Sequence, residues 1–152
     1  MLDHDLLARF TTHLKEALQK SLAFAIQNGR MLVEPGDLFV GLYQEQGCIA
    51  AELLQKTALS GEALLVLLAR ATPVRSGSVA APDLAPASRR LLERAVLLAR
   101  EYEHRYIGTE HLLYALLEQP DASLKACFEE LDLHYDELRV QLKQLLTSGG
   151  KF

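Results

Sequence analysis

The feature that most constrains the fold is a repeat: apolar positions in the first half of the chain recur, without a gap, 74 residues later. The match runs over about 55 residues, so the helical period and the loop lengths must agree in both copies. The matched pairs include Leu18 and Leu92, Ala25 and Ala99, Val33 and Ile107, Leu38 and Leu112, Leu42 and Leu116, Leu64 and Leu138, and Leu68 and Leu142. We therefore predict an internal duplication, although identical residues are sparse.

Helical periodicity dominates each copy. In the first copy, apolar residues at steps of three and four predict one face of a helix from about Thr11 to Asn28. The residues of that face are Phe10, Leu14, Leu18, Leu22, Ala25 and Ile26. Three more helices are predicted: from Pro35 to about Gln44, over 49–56, and after a Ser60 cap. Because the second copy repeats the pattern, we predict an all-α fold of two tandem four-helix repeats, eight helices in total.

The two copies are joined by a segment without amphipathic period. Residues 72–88 read TPVRSGSVAAPDLAPAS, and they are rich in Pro, Gly, Ser and Ala until Pro86 opens the next helix. We predict one domain over 1–152, with repeat one at about 10–71, a linker at 72–85 and repeat two at about 86–147. A four-helix unit this small exposes much apolar surface, so the copies should pack around a pseudo-twofold axis with a cleft between them.

Composition narrows the function. The net charge of −4 and the pI near 5.7 argue against nucleic-acid binding. The arginines clustered in residues 89–105 do not form a basic patch, because acidic residues lie among them. The longest strictly apolar run, Ala63 to Ala69, is too short to cross a bilayer, and the N-terminus lacks a cationic signal region. We expect a cytoplasmic protein without membrane attachment. Cys48 and Cys127 match no metal-ligand spacing and are predicted to be buried, unpaired thiols.

The segment YIGTEHLLYALLEQ, residues 106–119, combines a helical apolar stripe with a polar opening. Thr109 is predicted to cap the helix, since its hydroxyl can accept a backbone N–H of the first turn. Glu110 has two equally weighted interpretations: it stabilises the helix dipole, or it binds a ligand. His111 is predicted to be a partly exposed helix residue and, with His104 seven positions earlier, does not complete a metal site. Neither a G-x-S-x-G turn nor a phosphate-binding loop occurs, so we expect no enzyme activity and no cofactor.

The repeats, with YIGTEHLLYALLE and the downstream FEELDLHYDELRVQL, resemble the N-terminal domain of the Clp ATPases over about residues 8–147. These are hexameric AAA+ unfoldases, and the details of the motif are closer to the ClpC type than to the disaggregase type. The resemblance implies an eight-helix docking module that binds adaptor proteins or substrate polypeptides and passes them to the ATPase ring. The chain is then a domain of a longer unfoldase, or a free-standing accessory subunit of a Clp protease assembly that does not itself take substrate.

The resemblance also implies a ligand. N-domains of the ClpC type bind phosphorylated arginine at two equivalent sites, each with the acid of GTEH for the guanidinium and a threonine of an FT pair for the phosphate. In this chain copy one keeps the FT pair but has Gly36 in the acid position, and copy two keeps the acid but lacks the FT pair. We therefore predict two incomplete sites and weak or absent binding of free phosphoarginine. The candidate peptide- and adaptor-binding residues are Phe10, Thr11, Thr109 and Glu110.

Overall fold

The computed structural model describes residues 4–71 and 83–148, which form nine helices and two strands of two residues each. Repeat one contains α2 (Thr12–Gln27), α3 (Pro35–Gln44), α4 (Ile49–Gln55) and α5 (Gly61–Ala71). Repeat two contains α6 (Pro86–Glu101), α7 (Thr109–Glu118), α8 (Ala122–Glu130) and α9 (Tyr135–Thr147). A short α1 (His4–Leu7) precedes them. The predicted all-α fold and its eight repeat helices are confirmed, and α1 is an addition that the pattern did not predict.

Local signals in the sequence explain where the helices of repeat one begin and end. The Thr11 hydroxyl accepts the Leu14 N–H (3.1 Å) and caps α2, and the Ser60 hydroxyl accepts the Ala63 N–H (3.3 Å) before α5. Gly29, with φ of 74°, turns the chain out of α2, a backbone conformation in which glycine carries no steric cost. One predicted core position is wrong: Ile26, near the C-terminal end of α2, is 54% exposed.

The core lies between the two repeats and is continuous across them. Leu38 and Leu42 of α3 and their counterparts Leu112 and Leu116 of α7 are fully buried in it. Phe39 of α3 packs edge-on against Phe128 of α8, with ring centroids 5.1 Å apart, an arrangement that aromatic quadrupoles favour. Each repeat therefore buries its apolar face against the other, as the duplication predicted. Both cysteines are buried and unpaired, which confirms that prediction.

Short parallel strand contacts tie each repeat to the other and were not predicted. Strand β1 (Leu32–Val33) pairs with β2 (Asp83–Leu84), with Val33 opposite Leu84. Phe10 and Ile107, which lie 74 residues from Leu84 and Val33 respectively, form an isolated bridge of the same kind. The hydrogen bonds correspond as well: the Thr11 N–H donates to Ile107 O (2.9 Å), and the Ala85 N–H donates to Val33 O (3.0 Å). This reciprocity is what an approximate twofold axis between the repeats requires.

The described end of the predicted linker at 72–85 contains a strand. Residues 83–84 are the strand β2, and Asp83 bonds its own neighbour, its carboxylate accepting the Leu84 N–H (2.7 Å). Residues 72–82 of that prediction lie outside the described residues. A two-residue strand is too short for alternating polarity to appear in the sequence, which is why it was missed. Within the described ranges, none of the helices is long and apolar enough to span a bilayer.

Candidate functional site

A cleft of about 810 Å³ lies where the two repeats meet. Its walls come from the start of α2, the start of α4, the segment that joins α6 to α7, the first turn of α7 and the end of α9. Three of the four candidate residues line it, namely Thr11, Thr109 and Glu110. Phe10 does not: it is 3% exposed and packs in the core, where its backbone forms the bridge to Ile107.

The bridge between Phe10 and Ile107 brings repeat one to the opening of α7. The Thr11 N–H donates to Ile107 O, and the Ile107 N–H donates to Arg9 O, each at 2.9 Å. Thr11 therefore lies beside the GTEH motif of the other repeat. Our assignment of the FT pair and the acid to separate, incomplete sites assumed that each repeat supplies its own site. In the structure the repeats pair through the bridge between Phe10 and Ile107, and Thr11 and Glu110 line one cleft.

Thr109 has a different role from the predicted one. Helix α7 begins at Thr109 itself, with Gly108 as its N-cap residue. The Thr109 hydroxyl accepts the Ala50 N–H in the first turn of α4 (3.4 Å), and the side chain is 2% exposed. The predicted N-cap is therefore wrong: the hydroxyl satisfies a backbone donor of the opposite repeat. Thr109 joins the two walls of the cleft.

Gly108 makes room for the Glu110 carboxylate. A Cβ atom at position 108 would lie 2.3 Å from Glu110 Oε1, far inside contact distance. The φ of −115° at Gly108 is open to any residue, so space and not backbone conformation explains the glycine. The carboxylate folds back over the N-cap and is held at the wall of the cleft.

Glu110 is a nearly buried carboxylate, and in the described part of the chain it has no cationic partner. The residue is 6% exposed, and burial raises the pKa of its carboxyl, opposed by a hydrogen bond from its own backbone N–H. Within residues 4–71 and 83–148, no Lys, Arg or His forms an ion pair with it. A charged group that is desolvated and unpaired is costly unless a ligand completes it. The Glu110 carboxylate therefore lies at the cleft wall, where a ligand would meet it.

His111 was predicted to be partly exposed, and this is wrong: it is 1% exposed. Its Nδ1 accepts the Gly108 N–H (2.9 Å), and its Nε2 lies 2.7 Å from His104 Nδ1. Since a nitrogen that accepts carries no proton, the proton of neutral His111 is assigned to Nε2, which donates to His104. Burial, with a contribution from neighbouring His104, lowers the pKa of His111 to about 4. No group of three or more His, Cys, Asp or Glu residues with metal-site geometry occurs in the described part of the chain.

The depressed pKa of His111 predicts a loss of stability in acid. The unfolded state takes up a proton near the ordinary pKa of 6.5, while folded His111 stays neutral until about pH 4. The contribution of neutral His111 to the free energy of unfolding is therefore fully present above its unfolded-state pKa of 6.5, and it decreases as the pH falls below that pKa. Between about pH 7.5 and about pH 5 this residue should cost about 2 kcal/mol of unfolding free energy. Urea unfolding of wild type and His111→Asn at both pH values isolates the effect. If the free energy of unfolding changed equally with pH in the two proteins, the prediction would be contradicted.

The twofold axis relates a second cleft to the first, and the second cleft lacks the residue types of Thr11 and Glu110. This cleft, of about 480 Å³, is lined by Pro35 and Ala87, the counterparts of Thr109 and His13. Gly36 replaces the acid and Ala85 replaces the threonine. Arg94 on its wall is paired with Glu118 through two hydrogen bonds of 2.9 and 3.0 Å. The chain therefore holds one cleft with both elements and one with neither.

The sequence matches the Clp repeat (R) N-terminal domain family over residues 9–131 and 84–151. The chain belongs to the Clp N-terminal domain family. This Clp N-terminal domain is 30% identical over 139 residues to the ClpA homolog ATP-binding subunit of Guillardia theta, and 24% identical over 143 residues to ClpC of Staphylococcus saprophyticus. The alignments cover 91% and 94% of the chain, and the chain spans 17% of the length of each relative.

Solved structures show the same fold. The N-terminal domain of ClpD from Arabidopsis thaliana superposes with a TM-score of 0.78 at 20% identity, over 97% of this chain and 100% of that one. The N-domain of ClpV, solved in complex with a VipB peptide, has a TM-score of 0.71 at 18% identity, over 100% and 96% of the two chains. At these identities the likeness establishes the Clp N-domain fold alone.

Proposed function

We propose that this Clp N-terminal domain is a non-catalytic docking module that binds adaptor proteins or substrate segments and presents them to an AAA+ unfoldase ring, in the same or another chain. The observation that carries the proposal is the Glu110 carboxylate, nearly buried at the wall of an 810 Å³ cleft and without an ion-pair partner among the residues that the structure describes. A peptide side chain with a positive charge supplies the missing partner. The N-domain of ClpV in complex with a VipB peptide supports peptide docking by this fold.

The two walls of the cleft favour opposite charges on one ligand. Glu110 attracts a guanidinium, which binds a carboxylate through paired charge-assisted hydrogen bonds. The start of α2, at Thr11 and His13, also lines the cleft, and the N–H groups of a helix's first turn attract anions. A phosphorylated arginine carries both charges in one side chain. Because Thr11 and Glu110 lie in the same cleft, we propose one phosphoarginine-binding cleft in place of two incomplete ones.

Calorimetric titration with a short peptide containing one phosphoarginine tests this proposal. We expect a dissociation constant on the order of micromolar and at least about tenfold weaker binding of the arginine peptide. Glu110→Gln should weaken binding by at least about tenfold, since the neutral amide loses the charge-assisted pair. Its stability should change little, because burial already disfavours the carboxylate.

The matched control is Glu103→Gln, which removes an exposed carboxylate from the same cleft. It should leave the affinity within about threefold of wild type, as expected of a solvent-screened charge. Absence of binding by wild type would reject phosphoarginine as the ligand. Equal losses for Glu103→Gln and Glu110→Gln would show that general acidity, and not the buried carboxylate, attracts the peptide.

The second cleft lacks equivalents of Thr11 and Glu110, which favours one alternative function. In that alternative the chain is an accessory subunit that binds a Clp assembly without taking substrate. Affinity purification from the source cell separates the two roles. The docking role predicts that adaptors or substrates copurify and are lost with Glu110→Gln. The accessory role predicts that Clp subunits alone copurify, equally with both proteins.

A further inference from the structure

The repeat relation identifies His104 and His111 as counterparts of a buried ion pair. Arg30 and Asp37 lie 74 residues before them, and they are 1% and 0% exposed. The hydrogen bond to the N-cap residue and the contact within each pair have counterparts in both repeats. Asp37 Oδ2 accepts the Glu34 N–H (2.8 Å), as His111 Nδ1 accepts the Gly108 N–H (2.9 Å). Arg30 Nε donates to Asp37 Oδ2 (3.2 Å), in the place where His104 meets His111. Both pairs fix the N-cap of the second helix of their repeat.

The two pairs differ in charge, and so does the residue that precedes the second member of each pair, at positions 36 and 110. In repeat one the charged pair stands next to Gly36, which has no side chain to compete for Arg30. In repeat two the imidazole pair stands next to Glu110, whose carboxylate has no cationic partner among the described residues. An arginine at position 104 would reach the same cleft as Glu110, because both residues line it. It would attract that carboxylate as a ligand's guanidinium does.

The other charged residues on the cleft do not compensate Glu110. Glu101 and Glu103 carry the same sign as Glu110, and Arg105 is exposed and forms no ion pair with it. His13 is bonded through Nδ1 to Glu45 Oε2 (2.6 Å). The hydrogen bonds also leave the facing ring nitrogens no acceptor for a second proton. A second proton on His111 would face the Gly108 N–H, and one on His104 Nδ1 would face the His111 Nε2–H.

We propose that His104 and His111 are positioning residues of the cleft: they fix the first turn of α7 with a neutral hydrogen-bonded pair and so leave Glu110 to a cationic side chain of the ligand. The inference rests on the proposed docking function for its ligand. The effect of the His104–His111 pair on the Glu110 carboxyl in the ligand-free protein does not depend on that function.

The first experiment needs no ligand. Nitrogen NMR of the imidazoles in the wild-type protein should show His111 and His104 both protonated on Nε2 near neutral pH. Carbon NMR of the Glu110 carboxyl should show a midpoint that falls by about 1 to 3 pH units in His104→Arg, because an adjacent guanidinium favours the carboxylate. The double variant His104→Arg/His111→Asp, which copies repeat one, should return the midpoint to near the wild-type value, since the carboxylate introduced at position 111 takes up the guanidinium.

The second experiment measures binding of the phosphoarginine peptide. His104→Arg should weaken binding by at least about tenfold, and the double variant should recover to within about threefold of wild type. A merely structural role for the pair would not be restored by reversing its charge pattern.

The outcomes separate the inference from the proposed function. If wild type fails to bind the peptide but the Glu110 midpoint moves as expected, the proposed ligand is wrong and the positioning role stands. If His111 carries its proton on Nδ1, or if Glu110 titrates alike in wild type and folded His104→Arg, the inference is overturned. Should His104→Arg fail to fold, the imidazole tautomers and the double variant decide the question.

Discussion

Replacing Asp37 with alanine should lower the free energy of unfolding by about 3–5 kcal/mol, the loss expected when one member of a buried ion pair is removed. Arg30 and Asp37 are at most 1% exposed, and two nitrogens of the guanidinium bond the two carboxylate oxygens. The variant leaves the Arg30 charge buried without its partner and removes the acceptor of the Glu34 N–H. Urea unfolding followed by circular dichroism measures the change.

The matched control for Asp37→Ala is Glu118→Ala. Arg94 and Glu118 form the same paired geometry, with hydrogen bonds of 2.9 and 3.0 Å, but their side chains are 36% and 27% exposed. Solvent screens such a pair, so its loss should cost about 1 kcal/mol or less. A third variant, Arg30→Met/Asp37→Leu, should recover much of the stability, because an apolar pair carries no uncompensated charge. Equal losses for Asp37→Ala and Glu118→Ala would show that burial does not set the difference.

The sequence predicted the helices well because each is specified by signals within a few residues. The Ser60 cap is confirmed by the hydrogen bond of its hydroxyl, and the predicted Pro35–Gln44 range agrees with α3. Thr109 looked the same as this cap in sequence, yet its hydroxyl bonds Ala50 of the other repeat. The N-cap pattern considers only N–H donors within the same helix, so it cannot reveal that the Ala50 N–H, 59 positions away, bonds the Thr109 hydroxyl.

The candidate site was harder to predict because it is built across the repeats. Thr11 and Glu110 were both singled out from the sequence, but that they line one cleft depends on the bridge between Phe10 and Ile107. The burial of His111 did leave a signal in the sequence. Arg30 and Asp37, with opposite charges seven positions apart, fall on His104 and His111 after a shift of 74. A duplicated chain thus allows a contact visible in one copy to be transferred to the other.

The crossing of α2 and α3 offers the second large effect, in Gly41→Ala. A Cβ atom at position 41 would lie 2.1 Å from Ser21 Oγ and 2.2 Å from the Ala17 carbonyl oxygen. The Ser21 hydroxyl can rotate away, although it would give up its hydrogen bond to Ala17 O (3.0 Å). The carbonyl belongs to the backbone of α2, so only separation of the two helices relieves the contact. We expect a loss of about 3 kcal/mol or more, measured by urea unfolding, since overpacking here moves backbone and core together.

Repeat two supplies the opposite substitution as a control. Ala115 occupies the position of Gly41 in α7, is 1% exposed, and is accommodated where α6 crosses α7. Ala115→Gly should cost about 1 kcal/mol, chiefly the lower helix propensity of glycine. By propensity alone, Gly41→Ala should stabilise α3 by a similar amount, so the two explanations predict opposite signs at position 41. A Gly41→Ala protein that is more stable than wild type would mean that α2 and α3 can move apart at little cost. A large loss of unfolding free energy would show that the close contact at Gly41 fixes the distance between the two helices.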